Sequence, residues 1–162
     1  MSKIIAIIDN NNETLHLAAD KRGCDLSGNK LGDHFEKIHE IRRDLYFCMN
    51  GEYNTGLILK NILLENSHAP VSELINIIRR FKCSEIYRMG SNEPFIFSFV
   101  LCGRDELGKL FIFARNTNDN MERFLDGEKG AIKFAVASCA RDEIDYNINY
   151  LLGKTLASTF DY

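Results

Sequence analysis

Lys3-Ile4-Ile5-Ala6-Ile7-Ile8-Asp9, then Asn10-Asn11-Asn12-Glu13-Thr14, then Leu15-His16-Leu17-Ala18-Ala19-Asp20 is the stretch that decides the architecture. The first run is too uniformly apolar for a strand with one face in water, so residues 3–9 read as a strand covered on both faces. The Asn-rich piece is a turn, and 15–20 returns as a second strand, which makes an antiparallel hairpin. If Met1 is removed, the chain starts at Ser2. Its hydroxyl and α-amine then stand at the head of the buried strand, with the Asp20 carboxylate arriving on the next one. A self-activated amino-terminal nucleophile needs that layout.

Working outward, Gly23 to Asp33 contains three glycines and is expected to be a loop. Lys37-Ile38-His39-Glu40-Ile41 alternates polar and apolar residues, and Arg42-Arg43-Asp44 turns it into Leu45-Tyr46-Phe47-Cys48-Met49, a second hairpin that ends at Asn50-Gly51. The period then changes. Leu57, Ile58, Ile62, Leu63 and Leu64 fit a helix after Gly51, and a second helix starts after Pro70 with Ser72 as its candidate cap. Leu74, Ile75, Ile77, Ile78 and Phe81 would line the buried face of that second helix.

A strong strand runs from Pro94 to Leu101. Gly103-Arg104-Asp105-Glu106-Leu107-Gly108 turns it into Leu110-Phe111-Ile112-Phe113-Ala114, a third hairpin. Residues 116–130 are polar and contain glycine, so they read as loop. Ala131 to Ala137 reads as a short strand and Asp142 to Leu152 as a helix, while 153–162 carry no clear pattern. The predicted class is α+β, with two stacked antiparallel sheets and helices outside.

A chain of 162 residues, 45% hydrophobic and 27% charged, is expected to form one globular domain. Its net charge of −3 and the absence of any Lys/Arg block longer than two residues argue against nucleic acid as a partner. No apolar run reaches the roughly 20 residues of a membrane span, and no basic region with a hydrophobic signal core opens the chain. Cys24, Cys48, Cys83, Cys102 and Cys139 are odd in number, scattered and without a C-x-x-C pair. They read as free thiols in a reducing cytoplasm, not as a zinc cage or a disulfide framework. The histidines show no ligand-like spacing, so neither a metal nor another cofactor is expected.

Leu17-Ala18-Ala19-Asp20-Lys21-Arg22-Gly23, Lys37-Ile38 and Cys48-Met49-Asn50-Gly51 opening a helix resemble the proteasome β-subunit family. That family includes bacterial relatives such as the ring-forming peptidase partner of an ATP-dependent unfoldase. The likeness continues through the strand, turn and return strand of 94–113. It extends to Ala135-Val136-Ala137-Ser138-Cys139-Ala140, where such proteins carry Gly-Ser-Gly. It therefore covers roughly residues 2–152.

The resemblance implies a four-layer αββα sandwich and an amino-terminal-nucleophile (Ntn) hydrolase that assembles with itself in rings or stacked layers and acts on peptide or protein. Ser2 would take the place of the family's threonine, with its own α-amine as base. Lys37 would favour deprotonation of the hydroxyl, and Asp20 would pair with Lys37. Gly51 would aim a backbone N–H at the oxyanion, Ser138 would orient the amine, Arg22 would buttress the loop after Asp20, and Met49 would floor an apolar substrate pocket.

The chain departs from the family in its serine nucleophile and in Ala137-Ser138-Cys139 replacing Gly-Ser-Gly. It also departs in a shortened C-terminal part, where Ser158 and Asp161 match the expected amine-orienting residues by type alone. No tail that would dock an unfoldase is evident. A turn aspartate and a solvated strand-end lysine are the plain alternatives for Asp20 and Lys37, and Gly51 serves a tight turn with or without catalysis. The competing functional readings are a non-catalytic structural or assembly subunit and a hydrolase of small amides.

Overall fold

The opening hairpin forms as its pattern dictates. β1 (Lys3–Asp9) pairs antiparallel with β2 (Thr14–Ala19), Asp9 lying opposite Thr14 and Ile4 opposite Ala19. The computed structural model describes residues 3–24, 29–81, 97–116, 122–126 and 132–138. Asp9 is buried, yet its carboxylate is satisfied within the turn. Oδ1 accepts the Asn11 amide at 2.9 Å and the Asn12 amide at 3.3 Å, and Oδ2 accepts Asn12 Nδ2 at 2.7 Å. On β1 the even residues Ile4, Ala6 and Ile8 are fully buried and Ile5 and Ile7 half-buried, so one face carries the tighter packing.

Beyond β1 and β2, two short strands, β3 (Gly23–Cys24) and β4 (Lys30–Gly32), pair with each other inside the stretch expected to be loop. Strands of this length carry no readable period. β5 (Ile38–Arg42) and β6 (Leu45–Asn50) form the second hairpin, and helices α1 (Tyr53–Glu65) and α2 (Val71–Arg80) follow. β7 (Ser98–Arg104) and β8 (Leu110–Asn116) make the third hairpin. β9 (Glu122–Asp126) lies inside the other stretch expected to be loop, because an edge strand can be polar. β10 (Ile132–Ser138) pairs antiparallel with β1. The expected strand start at Pro94 and the expected helix 142–152 lie outside the described residues.

The strands form a three-stranded sheet in the order β10-β1-β2, a five-stranded sheet in the order β5-β6-β7-β8-β9 and the small β3-β4 pair. The inner face of the three-stranded sheet packs Ile4, Ala6, Ile8 and Ala135 onto Cys48, Val100, Cys102, Leu110 and Ile112 of the larger one. The opposite face of the five-stranded sheet packs Phe47, Phe99, Leu101, Phe111 and Phe113 against Leu59 and Leu63 of α1 and Leu74, Ile75 and Ile78 of α2. The described part is therefore α+β, with two stacked antiparallel sheets and two helices. Each fully buried Phe or Leu contributes about 1.5–3 kcal/mol against leaving it in water.

Two details of the helices differ from the pattern reading. On α1 the buried stripe is Thr55, Gly56, Leu59 and Leu63, whereas Ile58 and Leu64 are exposed. On α2, Ser72 is already inside the helix and does not cap it. The partner comes from the β7–β8 turn instead: Glu106 Oε1 accepts the Val71 amide at 2.6 Å. Arg42 locks the same corner, donating to the carbonyls of Ser67 (3.0 Å) and Ala69 (2.8 Å) and to Glu106 Oε1 (3.1 Å). At another corner, Arg104 donates to the carbonyls of Gly108 and Glu13, both at 2.8 Å, and so joins the turns of two different sheets.

Candidate active site

The β1–β2 register brings Asp20, the first residue after β2, opposite Lys3. Asp20 Oδ1 accepts the Lys3 amide at 2.7 Å, so its carboxylate holds the peptide that joins residues 2 and 3. Oδ2 accepts the Lys37 ammonium at 2.9 Å and the Arg22 amide at 3.2 Å. Lys37 immediately precedes β5, and its carbonyl accepts the Met49 amide at 3.0 Å, so the β5–β6 ladder sets its position. Its ammonium is buried and also donates to the Arg22 carbonyl at 2.8 Å.

Burial pushes the Asp20 carboxyl up. The Lys3 amide, the Lys37 ammonium and the Arg22 amide together outweigh it, so the group lies below its ordinary 3.8. A depressed carboxyl stabilises the fold above its unfolded pKa, and that contribution fades as pH falls through the folded value. Asp20→Asn is expected to cost about 1–2 kcal/mol at pH 7, reduced from the figure for a fully buried pair because Asp20 is partly solvated. Urea denaturation of both proteins should show the gap narrowing below pH 3.8. A gap that stays constant into acid would contradict this coupling.

Gly51 sits between β6 and α1 with φ +123°, a backbone angle that side-chain-bearing residues rarely adopt. Glu52 caps α1 with both carboxylate oxygens, accepting the amides of Asn54 (3.1 Å) and Thr55 (2.7 Å). This strand–turn–helix borders a shallow cleft lined by Lys37, Met49, Gly51, Tyr53, Phe97 and Phe99 among others. Met49 packs against Gly56 in the space a Cβ there would occupy.

Among the sequence-predicted residues, the structure brings Asp20, Lys37 and the backbone of Arg22 together, with Gly51, Met49 and Lys37 on one cleft. The Arg22 side chain is exposed and reaches Asp33 at 3.3 Å, so it is the Arg22 backbone that enters the cluster. The Ser138 backbone lies opposite Lys3, at the same end of β1. Ser2, Ser158 and Asp161 lie outside the described residues. The sequence reading missed Tyr53, Phe97 and Phe99. Gly56, a glycine inside a helix, was the available sign of a close approach.

Cys48 and Cys102 are free and buried between the sheets. The adjoining Cys48 and burial push the Cys102 thiol well up, which makes it a poor nucleophile at neutral pH. Among the described residues no group of His, Cys, Asp and Glu is arranged to hold a metal, and no helix is long and apolar enough to cross a membrane. No protein-family model matches the chain, and a search of curated proteins returned no match.

Proposed function

We propose that the protein is a proteasome-like peptide hydrolase of the Ntn type, built as a four-layer αββα sandwich, with Ser2 as nucleophile once Met1 is removed. The observation that carries this reading is one carboxylate holding both the Lys3 amide and the Lys37 ammonium, at 2.7 and 2.9 Å. A buried cation is thereby tied, through Asp20, to the amide of Lys3. A turn aspartate beside a solvated lysine would not bury that ammonium.

In this reading the Ser2 α-amine, with an ordinary pKa of roughly 7.7–8.0, takes the Oγ proton as Oγ bonds to the substrate carbonyl carbon. Lys37 stabilises the developing alkoxide. The Gly51 N–H donates to the oxyanion, with Ser138 near the amine. Collapse breaks the C–N bond, and the leaving amine takes the proton from the α-ammonium. Water, deprotonated by the same amine, then attacks the ester, releasing the acid and restoring Ser2. The apolar cleft around Met49 favours a medium-sized apolar side chain next to the scissile bond. No cofactor takes part. The partners are a peptide or protein substrate and further copies of this chain in a cytoplasmic ring or stacked assembly, which light scattering can size.

Intact mass and a peptide boronate test the chemistry. The expected result is a chain lighter by one methionine, unacetylated, with the boronate on Ser2. Retained Met1, or an acetyl cap on Ser2, would remove the base and end the catalytic reading, leaving a structural subunit.

A further inference from the structure

The Lys37 ammonium depends on an unusual second acceptor, the carbonyl of Arg22, which belongs to the irregular strap 20–22 between β2 and β3. The strap is held by the Asp20 amide on the Lys3 carbonyl (3.3 Å), by the Arg22 amide on Asp20 Oδ2 (3.2 Å) and by the Arg22 side chain on Asp33 (3.3 Å). Phe35 adds one contact to the strap at Lys21 and another at Gly23, the first residue of β3. Its amide donates to the Lys21 carbonyl at 3.1 Å, and one edge of its ring occupies the space beside Gly23, where a Cβ would overlap it with Cζ at 2.9 Å. Gly23 is thus small to admit the ring, not to reach a special backbone angle. The far edge of the ring meets Tyr53 at 5.0 Å and 82°, and His34 stacks on it at 4.6 Å. Tyr53 opens α1 two residues after Gly51 and lines the cleft.

We propose that Phe35 is a positioning residue that keeps the Arg22 carbonyl on the Lys37 ammonium and, through Tyr53, holds that strap in register with the Gly51 turn. Phe35 thus links the chain that feeds Lys37, through its amide at Lys21 and its ring at Gly23, to the helix start that follows the proposed oxyanion donor, through its ring at Tyr53. Removing the ring leaves a glycine facing a void. The chain just after Arg22 then loses a packing partner, and the Arg22 carbonyl shifts away from the buried Lys37 ammonium.

The catalytic part of this role rests on the proposed hydrolase reading, so the test reads Lys37 directly as well as turnover. The Lys37 ammonium is followed by ¹⁵N NMR as the hydrogen exchange of its Nζ protons, on a Ser2→Ala background, in chains carrying Phe35, Phe35→Ala, Phe35→Leu, Phe35→Tyr or Gly23→Ala. The expected result is exchange about tenfold faster in Phe35→Ala, as the hydrogen bond to the Arg22 carbonyl is lost. Phe35→Leu and Gly23→Ala should speed it in the same way, and Phe35→Tyr, which keeps the ring, should match the unsubstituted chain. With Ser2 present, kcat should fall about tenfold in Phe35→Ala at little change in KM. If Phe35→Ala does not fold, Phe35→Leu and Gly23→Ala carry the same test. An unchanged Lys37 exchange rate in the folded variants overturns the proposal. Faster exchange in a protein that never forms a Ser2 adduct upholds the positioning and overturns only the hydrolase reading.

Discussion

Lys37→Met is expected to lower peptide-amide turnover by about 10²–10⁴-fold, the usual range for losing a group that manages the proton of the nucleophile. The substitution keeps a long unbranched side chain in a slot that is 7% exposed, so it removes charge with little change in volume. Asp20 retains the Lys3 and Arg22 amides at 2.7 and 3.2 Å and remains partly solvated, so its carboxylate is not stranded. The fold should therefore survive at a cost of about 1–2 kcal/mol, a fall of several degrees in Tm. Lys37→Arg should not rescue activity. A planar guanidinium is broader than an ammonium and cannot reach the Asp20 carboxylate and the Arg22 carbonyl from the same point. Steady-state hydrolysis of fluorogenic peptides, with circular dichroism as the folding check, measures both effects. Turnover within about threefold of the unsubstituted protein in a folded Lys37→Met chain would move the site elsewhere.

Gly103→Ala is expected to be the most damaging small change in the described fold, at roughly 3 kcal/mol or more. Gly103 has φ +150°, and a Cβ there would land on the Asp44 carbonyl oxygen, with Leu45 Cα at 2.8 Å and Asp44 C at 3.0 Å. All three atoms are backbone, so no side chain can swing aside. The register would have to give where Leu45 faces Gly103 and where the Arg104 amide donates to Asp44 O at 2.8 Å. β7 also carries Phe99, Val100, Leu101 and Cys102, which serve both faces of the five-stranded sheet. Gly108→Ala is the control. Its φ is +77° but nothing lies within 4 Å, so only backbone strain of about 1 kcal/mol applies. Urea midpoints should separate the two variants clearly, and equal midpoints would contradict the steric account.

Much of the layout was readable because the apolar hairpins carry their own punctuation. Once the turn of the first hairpin is set, Asp9 opposite Thr14 carries Asp20 to Lys3 by counting alone. The pairing of Asp20 with Lys37 joins residues on different sheets, and no local period encodes it; the family-like order of motifs suggested it. β9 was missed because Glu122, Arg123 and Asp126 give an edge strand the composition of a loop. The face of α1 was misjudged because Leu57, Ile58, Leu59, Ile62, Leu63 and Leu64 surround the helix, and period alone cannot choose among them. The cap of α2 was invisible because Glu106 reaches Val71 from 35 positions away. Phe35 gave no signal at all, since its meaning depends on the space left by Gly23.

Arg104 gives the sandwich a clasp. By gripping the Glu13 and Gly108 carbonyls it fastens the two sheets at the tip of the first hairpin, a full strand length from Lys3. The Asp20–Lys37 ion pair fastens the opposite end of β1, so the two layers are stapled by charged side chains at both ends of the first strand.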